Sequence, residues 1–390
     1  MTDKDIGNVR QSELDDQIFQ TVVPTAFPTS RRVDIQKQSR PWHKPRKQIV
    51  RRCWNYHIKK LLKKLHVPVG GARTFRYFTL AGPDLLDIRA LESVVKGDNY
   101  VLKWVGFSPR ATEEEAEIIL NQSQVRGYDW VDDTSEVLWF RLEDMASGEK
   151  PVALKIVEGH GPFHAINFDL CQNVTAVKGQ APSIFDALLR LIEFQTKTCN
   201  HDWLLFVTTK IEKNNTPTAV FESFFEAIKQ NLNSSVDFTE SFSSFCESIG
   251  TLDEQVLAAP FDMADDAFVR VFCLGFSKWL VSHLCSAHPL VKLEMQDSQI
   301  YTVESGKKDM LSLVYKCSPN RVAPGVHPVA GIDEIEIALG RNALKRTANL
   351  RDLDEACDDI YFAGLVDEVR DLLKSANYPA ELIANVGDAV

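Results

Sequence analysis

A chain of 390 residues with 44% hydrophobic and 25% charged residues can bury a sizeable core, and so ordinary a composition excludes collagen-like, disulfide-dense and wholly disordered classes. The formal net charge of −10 conceals an asymmetry: residues 31–65 hold thirteen Lys/Arg against one acid, Asp34, which leaves the remainder strongly acidic. No run of 18 apolar residues occurs and the polar start MTDKDIGNVRQSELDD lacks the charged-then-apolar layout of a secretory signal, so a cytoplasmic protein with no membrane role is expected.

Residues 1–45, with Pro24, Pro28 and several Ser/Thr, are expected to form a flexible basic tail. From Lys47 the pattern becomes helical: Val50, Trp54, Ile58, Leu61 and Leu62 recur at three- and four-residue spacing, with basic residues between them. Three readings of this amphipathic helix compete, one of which, laying it on an anionic membrane, conflicts with the need of its apolar face to cover a sheet. In another, the lysines are merely a solvated face. In the third, Arg51, Arg52, Lys59, Lys60, Lys63 and Lys64 meet the phosphates of RNA or DNA, with aromatics such as Trp54 and Tyr56 available to stack on bases.

Six short apolar runs follow, joined by helix-like connectors: TFRYFTL (Thr74–Leu80), YVLKWVGF (100–107), EVLWFRL (136–142), VALKIV (152–157), HAINFDL (164–170) and WLLFVTT (203–209). Most are apolar on both faces, as strands of a parallel sheet covered on two sides must be. Either 136–142 or 152–157 supplies the third strand. A helical insertion is expected around 215–288. After it, VKLEMQ (291–296), QIYTVES (299–305) and DMLSLVYKC (309–317) read as antiparallel strands separated by the turn signals Asp-Ser and Gly-Lys-Lys. Residues 320–390 read as a helical extension that could dock a protein partner. The fold class expected is α/β: a doubly wound, mostly parallel sheet closed by an antiparallel C-terminal hairpin, with helical N- and C-terminal extensions.

Parallel strands and helices first, then an antiparallel hairpin closing the same sheet, resembles the strand plan of the class I S-adenosylmethionine-dependent methyltransferases, over residues 46–319. The resemblance implies S-adenosylmethionine as cofactor, held by the loop after the first strand. Here that loop is AGPD, so Ala81, Gly82 and Asp84 would border the cofactor, joined by Ser108 after the second strand and Asp144 after the third. The family's G-x-G-x-G is reduced to Gly82, and the acid expected after the second strand is replaced by Ser108 and Pro109. On the substrate side, the resemblance places Asp169 and Asn173, in HAINFDLCQN, where acceptor-orienting groups stand. Asp169 could instead cap the turn after its strand.

Other chemistries find no support. His160 and His164 in GHGPFH have no third ligand in view, the eight cysteines form no C-x-x-C, and neither a P-loop nor a G-x-S-x-G elbow is present. No metal site is expected. Two functions are carried forward: a divergent methyltransferase acting on an unidentified acceptor, with nucleic acid as one candidate, and a methyltransferase-shaped module without catalysis that binds nucleic acid or scaffolds a complex.

Overall fold

The structure is a computed structural model that describes residues 37–65, 73–109, 112–176, 182–303, 308–320, 332–355 and 359–387. Eight strands form one sheet in the order β3-β2-β1-β4-β5-β7-β6-β8. They are β1 (Thr74–Leu80), β2 (Val101–Phe107), β3 (Glu136–Leu138), β4 (Ala165–Asp169), β5 (Trp203–Lys210), β6 (Val291–Thr302), β7 (Lys308–Pro319) and β8 (Arg351–Asp352). Among them only β7 runs antiparallel, seated between β5 and β6. The expected doubly wound α/β sheet is therefore present.

Both faces of the sheet are covered, which is why its strands lack polar alternation. One face buries Phe75, Tyr77, Trp104 and Phe206 beneath the N-terminal helix α1 (Pro45–Leu62), whose Trp54 packs on Phe206 with ring centroids 5.8 Å apart. The other buries Phe78, Ile166, Phe168, Leu205 and Val207 beneath helices that include α5 (Val152–His160) and α6 (Ile184–Thr198). The insertion expected after β5 is present as a chain of helices, chief among them α7 (Thr218–Ser234) and α10 (Asp265–Cys285). Their crossing is close. A Cβ on Gly275 would stand 2.9 Å from Cβ of Phe224, so only glycine permits this approach. Helix α10 is long and apolar enough to cross a membrane by length and composition, but 78% of its apolar window is buried inside the protein, as in a core helix.

Three expectations need correction. The run 152–157 is helix, not strand: Pro151 precedes its first turn, Ala153 and Val157 face the core one turn apart, and Val152 is exposed. Six apolar residues fit either element, and here burial of a single face decides. The third strand is thus the short Glu136–Leu138, paired parallel with Val105 to Phe107. Finally, VKLEMQ and QIYTVES fall on one continuous strand, because Gln296 bulges from the β6–β7 ladder while Asp297 and Ser298 pair with Val314 and Leu313 instead of turning.

Residues 1–36 lie outside the description. From Lys37 onward the segment expected as tail is seated: Lys37 and Arg40 both pair with Glu117, at 2.7 Å. The C-terminal segment expected as a purely helical extension sends Arg351–Asp352 into the sheet as β8, and its helix α12 (Asp359–Ser375) turns its apolar face inward, where Val366, Val369 and Leu373 pack with Leu86.

Candidate functional site

Strand order reverses between β1 and β4, and at their carboxyl ends lies a cavity of about 640 Å³. Ligands of open α/β sheets bind at such switch points, in pockets of roughly 300–1,000 Å³. Its walls come from residues 79–84 after β1, 107–109 after β2, 140–143 after β3 and 169–172 after β4, with Tyr301 and Met310 from the β6–β7 end. The remaining wall is α1.

That helix supplies three cations to the site, each already bound to a carboxylate. Arg46 pairs with Asp354, Lys47 with Asp169, and Arg51 donates from Nε to Asp87 at 2.7 Å. Lys47 also lies 4.7 Å from the Trp54 ring centroid, a cation–π contact. Burial lowers the Lys47 pKa and raises that of the Asp169 carboxyl, but Asp169, Tyr301 and Asp87 around the ammonium raise its pKa on balance. The Asp169 carboxylate thus meets a lysine side chain at the cavity wall, a different role from capping a turn.

Asp84 is the second hub. Its Oδ2 receives Trp42 Nε1 at 3.0 Å, His43 Nε2 at 2.8 Å and Tyr378 Oη at 3.3 Å. His43 Nδ1 accepts the Arg40 N–H at 3.2 Å, so the ring hydrogen sits on Nε2 and is donated to Asp84. Burial would push the Asp84 carboxyl up; the hydrogen bonds from His43 and Trp42 outweigh it and hold the pKa at about 2. Asp84 is thus held as a carboxylate, with its three donors all directed at Oδ2.

The glycine that shapes this end of the site is Gly106, on β2. A Cβ there would stand 2.9 Å from Cβ of Ala81, whose N–H is bonded to Phe107 O at 2.9 Å. Gly82, by contrast, has ordinary room: a Cβ would meet Asp84 Oδ1 at 3.5 Å.

Ala81, Gly82, Asp84, Ser108 and Asp169 all border the cavity. Asp144 does not: its carboxylate accepts the Arg141 N–H at 2.8 Å in a local turn, and the neighbouring Glu143 faces the cavity instead. Asn173 is also elsewhere, buried and locked to Thr216 Oγ1 (2.9 Å) and to the Thr175 N–H (2.9 Å), so it braces the loop after β4. Of the basic residues, Arg51 is buried on Asp87 and Arg52 makes a two-pronged pair with Glu368 (2.6 and 2.9 Å). Neither offers a free charge to a phosphate. Lys59, Lys60, Lys63 and Lys64 are exposed, beside a Tyr56 that is 59% exposed. Sequence reading missed His43, Tyr378 and the role of Trp42, because nothing local ties residues so distant to the loop after β1, and of the adjacent acids Glu143 and Asp144 it chose the one that faces away. The two histidines of GHGPFH separate: His160 faces Glu136 at 3.4 Å, whereas His164 Nδ1 accepts the Arg76 N–H at 2.9 Å.

A doubly wound, mostly parallel α/β sheet with a cavity at its switch point defines a protein of the Rossmann-like class. Within that class the chain belongs to the PP_RS20740-like family, whose model matches residues 36–385. It is similar, at 10% identity and a TM-score of 0.39, to a solved structure from Listeria monocytogenes provisionally assigned as a class I S-adenosylmethionine-dependent methyltransferase, over 86% of this chain and 74% of that one. No curated protein matches the chain.

Proposed function

We propose that the protein is a divergent S-adenosylmethionine-dependent methyltransferase whose acceptor enters the cavity beside Asp169. The observation that carries this reading is the open cavity over residues 81–84: a module that had abandoned ligand binding would have no reason to keep about 640 Å³ unfilled at the switch point. The donor set suits the cofactor. Phe107, Phe140 and Leu142 line an apolar wall fit for an adenine, and Ser108 and Glu143 bring a hydroxyl and a carboxylate fit for ribose hydroxyls.

The cofactor supplies an activated methyl group, so the protein's own work is positioning and exclusion of water. Lys47 fixes the Asp169 carboxylate at the end of β4, and Asp169 in turn orients the acceptor's nucleophilic atom. Helix α1 closes the cavity on that side and keeps this pair from bulk solvent. Isothermal titration with S-adenosylmethionine is the direct test: saturable heat supports the reading, and no heat at millimolar cofactor with folded protein rejects it. Asp169→Asn then separates roles. It should preserve cofactor affinity while lowering turnover by two or more orders of magnitude, since a lost orienting interaction of a few kcal/mol acts mainly in the transition state.

A second reading, that the chain also engages RNA or DNA, is favoured by the four exposed lysines at the C-terminal end of α1. They form a ridge on the helix that walls the cavity, where a polymeric acceptor could be held.

A further inference from the structure

The one cluster of metal-type donors among the described residues lies between α1 and β6. Cys53 and His57 stand four residues apart on one face of α1, and Asp297 meets them from β6, just after the bulge at Gln296. Asp297 Oδ1 is occupied by the Ser298 N–H at 2.8 Å, which leaves Oδ2 aimed at Cys53 Sγ (3.3 Å) and His57 Nε2 (4.0 Å). All three ligand atoms lie within 4.8 Å of one another. Bonds of about 2.3 Å to sulfur and about 2.0–2.2 Å to nitrogen and oxygen place the corners of a tetrahedral zinc site roughly 3.3–3.8 Å apart. The cluster is therefore within small side-chain adjustments of that geometry.

A second observation points to the same spot. Gln299, two residues beyond Asp297 and so on the same side of β6, is 2% exposed, and its side chain lies against the Cys53 thiol. Apart from this contact with the Cys53 thiol, neither its Nε2 nor its Oε1 has a hydrogen-bond partner among the described residues. A buried amide oxygen left in that state costs free energy unless something occupies it. A cation bound by Cys53, His57 and Asp297 would do so.

We propose that Cys53, His57 and Asp297, with the Gln299 carbonyl oxygen completing the set, bind a divalent cation of the zinc class that clasps α1 to β6. A thiolate, an imidazole and a carboxylate are the donors that zinc prefers over magnesium or calcium. Binding releases the Cys53 thiol proton to solvent, and thiolate plus carboxylate then balance the two charges of the ion. The role is structural: α1 forms a wall of the cavity, and the clasp fixes it three turns or fewer from Lys47 and Arg51. This site is independent of the cofactor reading.

Cobalt(II) alone is the probe, titrated into chelator-treated, reduced full-length protein. The proposal expects one equivalent bound, with a near-ultraviolet sulfur-to-cobalt charge-transfer band and strong visible bands of four-coordinate cobalt, and zinc displacing it. Cys53→Ser should abolish the charge-transfer band, Asp297→Asn should weaken binding at least tenfold, and Cys171→Ser should leave the spectrum as in the parent. Zinc should raise Tm of the parent and not of Cys53→Ser. Absence of the band in folded parent protein, or its survival in Cys53→Ser, overturns the proposal. Should Cys53→Ser fail to fold, undiminished cobalt affinity in Asp297→Asn does the same.

Discussion

Lys47 and Asp169, 122 residues apart in the chain, form a buried ion pair that joins the N-terminal helix to the carboxyl end of β4. The pair does two things at once: it anchors α1 over the cavity, and it sets which way the Asp169 carboxylate faces. Lys47→Met leaves Asp169 without its counter-charge and should cost about 3–5 kcal/mol, whereas Lys47→Met with Asp169→Leu should recover most of the loss. Urea unfolding of the two variants decides the matter. A loss below about 0.5 kcal/mol in the single variant would show that the pair is not needed.

The depressed pKa of Asp84 predicts a pH dependence with a definite sign. The folded carboxyl titrates at about 2 against an ordinary value of 3.8. As pH falls, the unfolded chain takes up this proton first, so the stabilisation is full above about pH 4 and disappears toward pH 2. It amounts to on the order of 2 kcal/mol. Comparing acid unfolding of the parent with Asp84→Asn should show a shallower decline over that window in the variant. Identical slopes would sink the assignment.

Gly106→Ala tests the close approach of β2 to the loop after β1. The added methyl meets Cβ of Ala81 at 2.9 Å and should destabilise by about 1–3 kcal/mol while displacing residues 81–84. Combining it with Ala81→Gly should restore stability. Additive losses in the double variant would mean that the strain lies elsewhere.

Lys59, Lys60, Lys63 and Lys64 are solvated, so reversing all four to Glu should change stability little, by about 0.5 kcal/mol or less for each position. Binding to single-stranded RNA or DNA, measured by fluorescence anisotropy at several salt concentrations, should weaken and lose much of its salt dependence. Equal affinity in parent and variant leaves the ridge as a solvated face.

The strands of this fold were legible wherever burial on two faces forced a continuous apolar run, as in TFRYFTL and WLLFVTT. They were misread where local pattern underdetermines structure: 152–157 is too short to separate helix from strand, and Asp297-Ser298 has turn chemistry but is held in the ladder by β7. The site was half legible. Residues at strand ends, Asp169 and Ser108, follow from topology, whereas the donors to Asp84 come from residues 42, 43 and 378, brought together only by tertiary packing. Likewise, the cations of α1 looked uniform in sequence, yet its first turns face inward onto carboxylates and its last turn faces solvent.

The placement of β7 has a consequence for the nascent chain. β5 is buried along nearly its whole length, and the strand that covers its open edge is synthesised about a hundred residues later. At 5–20 residues per second, that edge stays without its partner for roughly 5–20 s on the ribosome. The phenylalanine-rich helices that emerge in the interval can shield one face of β5 but cannot satisfy its backbone N–H and C=O groups. The period between the emergence of Lys210 and of Lys308 is therefore when this polypeptide is most exposed to misassociation, and residues 203–209 are the segment a chaperone would hold.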